Sequence, residues 1–377
     1  MSLAATTSLP QALAMQDLRD ASRWGAADPE VVAATAPRVP AGDADAWVRE
    51  WTQAGGAAWA AANRTGDAAL YRHAASYYAA ALAELADSDG TVDEAQLWHR
   101  QHECWDRAVS LAGGERVSVP YAGTHLAGAF FSGGPGRRPL VVIDHGGRAT
   151  ASHAWALGGA AAHERGCHWM TFDGPGYGPA LRREGLTLRP DWEAVLTPVA
   201  DAMLGRADVD AARVAVVGSD LAGFGVARAL AYEHRLAAGV VAPGIVDLPR
   251  PWLDALPAPA RDALRDGDRG AFERELHLAD LFVPHTSARL RRAAERFGPP
   301  GTALYDLYQS MRAFRLGDEV SQIATPLLVC GSASAGAAPA LWPGQSRELS
   351  ERLRAPARLC GEAAGPETIL DWVDRHL

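Results

Sequence analysis

The chain has 377 residues, 48% of them hydrophobic, and a formal net charge of -9. That is enough for one large core plus an extra domain, and the acidic balance argues against nucleic acid or an anionic membrane as partner. All 36 basic residues are arginine; without a lysine amine, Schiff-base chemistry and a P-loop are excluded. The four cysteines, Cys104, Cys167, Cys330 and Cys360, are far apart with no CxxC. They read as reduced thiols of a cytoplasmic protein, not as metal ligands or a disulfide framework. No basic segment leading into an apolar run opens the sequence, so no signal peptide is expected, and no stretch approaches the roughly 20 apolar residues of a membrane span. The twelve tryptophans offer flat surface suited to a hydrophobic pocket, with the core as the expected place for most of them.

From residue 1 to about 110 the pattern is helical. Trp47, Trp51 and Trp59, then Leu70, Tyr77, Tyr78 and Leu82, fall near helical spacing in Ala-rich surroundings. Near 116 the texture turns to strands: 116–121 and 126–131 as a β pair, then PLVVID (139–144), a continuous apolar run as in a buried parallel strand. A helix over 152–164, a strand over 167–172, the loop DGPGYG and a helix over 191–203 follow. Next come the strand RVAVVG, a helix over 221–234 and the strand AAGVVA. Residues 248–320 break the rhythm with a Pro-rich turn and helices. Strand texture returns at PLLVCG (326–331), and a helix over 345–354, the strand ARLCG and a last helix close the chain. Alternating strand and helix predicts a parallel sheet covered on both faces, with the insertion over the strand C-terminal ends, where ligands bind in such sheets.

The most specific feature is the strand–turn–helix VAVVGSDLAGFGVARAL. A nucleophile elbow needs small residues two before and two after its central residue. With Asp220 central these are Gly218 and Ala222, followed by Gly223; with Ser219 central they would be Val217 and Leu221, too bulky for the turn. Asp also tolerates the left-handed backbone of such a turn. The second constellation is DHGG (144–147) at a strand end, like the HGG-type motif of esterases, or else simply a tight turn. Gly146 belongs to this turn, and backbone N–H groups of Gly147 or Arg148 and of Leu221 could converge on a negative oxygen.

On these residues the chain resembles the FrsA-like and pseudooxynicotine-hydrolase-like branch of the α/β hydrolases. The resemblance runs from about residue 60 to the end and is best in FDGPGYG (172–178), in the stretch 206–247 and in the terminal ILDWVDRHL. It implies an α/β-hydrolase fold, with a mostly parallel sheet and helices on both faces, a helical N-terminal domain and a helical lid. It also implies a Ser–Asp/Glu–His triad in enzymes that include carbon–carbon hydrolases and fungal enzymes that shorten polyketide chains. This chain departs from the pattern at all three positions. The serine position holds Asp220, the acid loop is SASAG (332–336), and the histidine loop is GEAAGPE (361–367). His376, beyond that loop, sits in the last turn of the closing helix and complements its dipole.

Three readings of Asp220 stand. As a covalent nucleophile it needs a histidine to activate water, and His145, His153 or His285 would have to substitute. As a general acid or base it would serve non-hydrolytic chemistry, weakly basic at a helix N-terminus and needing an activated substrate. In the third reading the site is dead and the protein is a binder. The second is preferred, because decay at a strained elbow favours Gly over Asp. Asp247, after AAGVVA, is an alternative triad acid or a cap of the Pro-rich turn. His285 and His277 lie in the lid. Tyr305, Tyr308 and Arg312 share a helical face and line the pocket or pack the lid. Asp173 and Tyr177 stabilise a loop near the site, and Arg148 could hold a substrate oxygen.

The expected organisation is a helical cap over 1–115, core over 116–247, lid over 248–320 and core again over 321–377. No metal and no organic cofactor are expected. The expected function is proton transfer on a bulky small-molecule substrate, polyketide-like or aromatic, in natural-product biosynthesis, forming a carbon–carbon bond (Michael or aldol closure) or eliminating. The alternatives are a true hydrolase of a C–C bond, ester or epoxide with a relocated histidine, or a non-catalytic binder. A homodimer through the helical domain would fit the family.

Overall fold

The computed structural model describes residues 9–85, 88, 92–147, 150–283, 285–331, 341–360 and 365–377. Five helices come first: α1 (Leu9–Arg23), α2 (Pro29–Thr35), α3 (Ala44–Thr65), α4 (Ala68–Glu84) and α5 (Glu94–Leu111). Four of them start at an aspartate, Asp28, Asp43, Asp67 and Asp93, whose side chain accepts from first-turn amides. This satisfies donors that a helix start otherwise leaves unpaired. Gly55 of α3 lies flat against Tyr78 of α4, and a Cβ there would come within 2.7 Å of the ring.

An eight-stranded sheet follows, in the order β1-β2-β4-β3-β5-β6-β7-β8. Its strands are β1 (Glu115–Tyr121), β2 (Thr124–Phe131), β3 (Arg138–Asp144), β4 (His168–Phe172), β5 (Val209–Ser219), β6 (Ala238–Ala242), β7 (Leu327–Cys330) and β8 (Ala357–Cys360). The first two strands pair antiparallel with each other and with β4, and the rest are parallel. Alternation along the buried strands splits the core between the two faces. Leu140, Val142, Val214 and Val216 pack on one face, while Val141, Ile143, Ala215 and Val217 pack on the other.

Short helices α6 (Ala160–Glu164) and α7 (Gly178–Arg182) flank β4, and α8 (Glu193–Leu204) and α9 (Ala222–Leu230) flank β5. The segment expected as one helix over 152–164 is broken: a 3-10 turn, then a π turn with Gly158 at φ +151, then α6. Helix α9 also ends earlier than its apolar pattern suggested, at Leu230. Between β6 and β7 lie α10 (Arg250–Asp254), α11 (Ala258–Asp266), α12 (Arg269–Phe282), α13 (Thr286–Ala294) and α14 (Leu304–Ser310), and the chain closes with α15 (Gln345–Arg352) and α16 (Pro366–Asp374). Helices α1–α6 and α16 pack on the second face; α8, α9 and the α10–α14 insertion pack on the first. No described helix is long and apolar enough to cross a membrane.

Candidate active site

Strands β3 and β5 end side by side, with Asp144 in register with Gly218, so the turns that follow share one edge of the sheet. After β5 the chain turns through Asp220 at φ +52, a left-handed conformation uncommon outside glycine. The Asp220 N–H donates to the Ala242 carbonyl at 3.0 Å, and the Asp220 carbonyl accepts from Gly223 N at 2.9 Å. The small residues are required by contact. A Cβ on Gly218 would lie 2.4 Å from the Ala222 carbonyl oxygen, and one on Gly223 would lie 1.9 Å from that of Pro243. Asp220 is therefore the apex of an elbow at the start of α9, and it is buried.

The turn after β3 rests against this elbow. Its anchor is Asp144, a fully buried carboxylate that accepts from Tyr177 Oη at 2.8 Å, Trp192 Nε1 at 2.8 Å and Gly146 N at 3.3 Å. Burial raises the Asp144 pKa against these donors and the nearby His145, and burial together with Asp144 raises that of the Tyr177 phenol. His145 is buried behind the turn. Its Nδ1 accepts from Gly147 N at 3.3 Å, which places the imidazole proton on Nε2, 3.3 Å from Asp173 Oδ1. The turn thus engages the Gly147 N–H expected to stabilise an anion. Of the expected amides, Leu221 N–H remains, on a residue that lines the cavity beside Asp220; Arg148 lies outside the described residues.

A cavity of about 520 Å³ opens above Asp220 and Leu221, within the range of small-molecule sites. Its walls come from three parts of the chain. Leu18, Ala80, Trp98 and His102 belong to the N-terminal helices; Asp173, Tyr177 and Asp220 to the sheet edge; Trp252, Leu290, Arg296 and Tyr308 to the α10–α14 insertion. Three tryptophans, Trp98, Trp252 and Trp342, face the cavity, while Trp47, Trp51, Trp105, Trp169, Trp192 and Trp372 are core. Burial lowers the pKa of the Arg296 guanidinium, and Asp220 is the leading charge that opposes this. The buried Tyr308 hydroxyl has no hydrogen-bond partner among the described residues.

Of the remaining expected site residues, the structure brings Tyr177, Tyr308 and His153 to this cavity and leaves Asp247, His285, Tyr305 and Arg312 away from it. Asp247 is ion-paired with Arg315 at 3.1 Å and lines a separate cavity of about 360 Å³, because the backbone after β6 is held by Gln345 and turns away from the elbow. His285 is exposed at the start of α13, with φ +67. Tyr305 packs edge-on against Phe272, under the Arg269 guanidinium, and accepts from Gln309 Nε2; it does not line the cavity. Arg312, also expected on that face, lines the second cavity. The acid loop 332–336 and residues 361–364 of the histidine loop lie outside the described residues. Sequence reasoning missed His102 and Arg296. The Trp98/His102 pair at i, i+4 on α5 was the available signal for the first; none marked the second.

No family model matches the chain. Over 253 residues it is 33% identical to the hydrolase acrC of Aspergillus aculeatus, covering 59% of each chain. Over 235 residues it is 31% identical to the 20-hydroxy-prefusarin hydrolase FUS2 of Gibberella moniliformis, covering 57% of this chain and 55% of that one. The chain thus spans little more than half the length of these curated relatives. Among solved structures, that of a 2,6-dihydroxy-pseudo-oxynicotine hydrolase is similar with a TM-score of 0.66 and 18% identity, covering 95% of both chains. With the strand order and the elbow, these likenesses show an α/β-hydrolase fold, like that of the pseudo-oxynicotine hydrolase along nearly the whole length of the chain.

Proposed function

We propose that this chain is a non-hydrolytic tailoring enzyme of natural-product biosynthesis, acting by proton transfer on a bulky aromatic or polyketide-like small molecule. The observation that carries the reading is Asp220 at the apex of an intact elbow, lining a cavity with an apolar majority of lining residues. A carboxylate there takes a proton from an activated carbon or phenol while the Leu221 amide holds the resulting oxyanion. The enolate then closes a carbon–carbon bond by Michael or aldol addition, or expels a leaving group. The relatives' names as hydrolases support an enzyme, and FUS2's name gives that protein 20-hydroxy-prefusarin as substrate.

A second reading, hydrolysis with a relocated histidine, is favoured by those same names and by His102 and His153 on the cavity wall. The test separates the two. Incubation with a fluorophosphonate, read by intact mass beside a nitrophenyl-ester assay, should give neither label nor turnover. Labelling with ester turnover would establish an activated serine and overturn the proposal. Ring opening of a nitrobenzisoxazole, an activated carbon acid, should proceed in mildly acidic solution and be lost in Asp220→Asn. A binder indifferent to that substitution would hold its ligand unchanged.

A further inference from the structure

Helix α5 presents Trp98 and His102 to the cavity from the wall formed by the N-terminal helices. The two rings stack with centroids 4.1 Å apart and planes 19° from parallel, which fixes the imidazole plane. The helix itself is tied to the site by the neighbouring residue: Gln101 Nε2 donates to Thr150 Oγ1 at 2.9 Å, just beyond the glycine turn. Yet the buried Nδ1 of His102 has no hydrogen-bond partner among the described residues. A buried nitrogen left unpaired is costly; here it belongs to a ring that lines a cavity sized for a ligand.

We propose that His102 is a second proton acceptor of this site, reaching the ligand from the helical wall while Asp220 reaches it from the sheet edge. This rests on the reading of the cavity as a proton-transfer site. It answers a difficulty in that reading. A carboxylate is a weak base, about 2–3 pKa units below an imidazole, and serves only strongly acidified positions. A neutral imidazole serves a less acidic hydroxyl or carbon on the same ligand. The ligand class that uses both has two ionisable positions, such as a phenol or hydroxyl set apart from a 1,3-dicarbonyl. His102 is faced by Asp173 and His145 from the sheet edge, by Arg183 beyond α7 and by Asp106 on its own helix. Burial outweighs the two carboxylates and lowers its pKa, which leaves it neutral at physiological pH.

The test uses a nitrobenzisoxazole with the full chain. The base takes the ring C–H proton, those electrons form the nitrile, the N–O bond breaks and a nitrophenolate leaves with the negative charge. Two acceptors of different strength give two plateaus. Asp220 sustains a slow rate in acid, and the rate climbs by about 10-fold as His102 loses its proton, below the ordinary histidine value. His102→Gln should keep the acid plateau and lose the climb. His102→Ala should regain it with added imidazole, and near-ultraviolet dichroism of each variant shows that the fold is kept. A climb that persists in folded His102→Gln overturns the proposal and leaves Asp220 untouched. An acid plateau that persists in Asp220→Asn overturns the Asp220 reading, while the climb still reports on His102.

Discussion

Gly146 is the residue at which strain, close approach and the site coincide. Its φ is +74, and a Cβ added there would lie 1.9 Å from the Ser219 carbonyl oxygen and 2.8 Å from Leu221 N. Alanine in the left-handed region costs about 1–2 kcal/mol, and forcing a packed neighbour aside costs about 1–3 kcal/mol. The obstacle is backbone, held by the Asp220 N–H bond to Ala242 at 3.0 Å, so it has little freedom to yield. Gly146→Ala should therefore destabilise the protein by about 2–5 kcal/mol. Gly123, in the β1–β2 turn at φ +82 with nothing within 4 Å of its Cβ position, isolates the strain. Its alanine variant should lose only about 1–2 kcal/mol. Urea unfolding followed by tryptophan fluorescence measures both, each as a midpoint shift. Equal shifts for the two variants would refute the claim that the glycine turn is wedged against the elbow.

Asp144 gives a pH signature. Its pKa is raised in the folded chain, so between the ordinary carboxylate value and the raised one the folded state binds more protons than the unfolded. Its contribution to stability is lost as pH rises through that window. Asp144→Asn should flatten this part of the stability–pH curve, and an unchanged slope in urea midpoints would count against it. Burial pushes the Cys104 thiol up to about 12, so in native protein iodoacetamide should modify half-buried Cys360 first and spare Cys104, as peptide masses would show; early labelling of Cys104 contradicts its burial. Arg182 bridges Glu94 of α5 at 2.8 Å and Glu295 of the insertion at 3.3 Å, with all three side chains substantially exposed. Arg182→Ala should change stability by no more than about 1 kcal/mol. A larger loss would mean that this bridge holds the cavity walls together.

The sheet was readable because β3, β5, β6 and β7 each carry a short unbroken apolar run, and the elbow because its rule is local: small residues at fixed offsets from one apex. Asp220 follows from Gly218, Ala222 and Gly223 without knowledge of any distant contact. Where reading failed, the cause was either a local break or a non-local contact. Gly158 interrupts a helix whose apolar pattern runs on across it. Asp247 has the right position after β6, but Gln345, nearly a hundred residues later, decides which way the chain turns there. Tyr305 and Tyr308 share a face in any helical wheel and both rings meet Phe272, yet only Tyr308 lines the cavity, a difference set by how α14 docks and not by its own sequence. His102 was harder still, since the wall it occupies exists only once α5 docks on the turn after β3.

The same distinction bears on whether the site is a relic. An elbow is a costly local structure: it holds a non-glycine residue at positive φ and requires backbone contacts at Gly146, Gly218 and Gly223 that no side chain would permit. A fold kept only for its sheet has no use for that geometry, and glycine at the apex would relieve the strain at once. Instead the apex carries a carboxylate, the anchoring Asp144 is satisfied by three donors, and the cavity above is walled by the N-terminal helices and by the α10–α14 insertion. The strain and the cavity converge on one ionisable group. Proton transfer at Asp220 is the reading that gives all three a common cause.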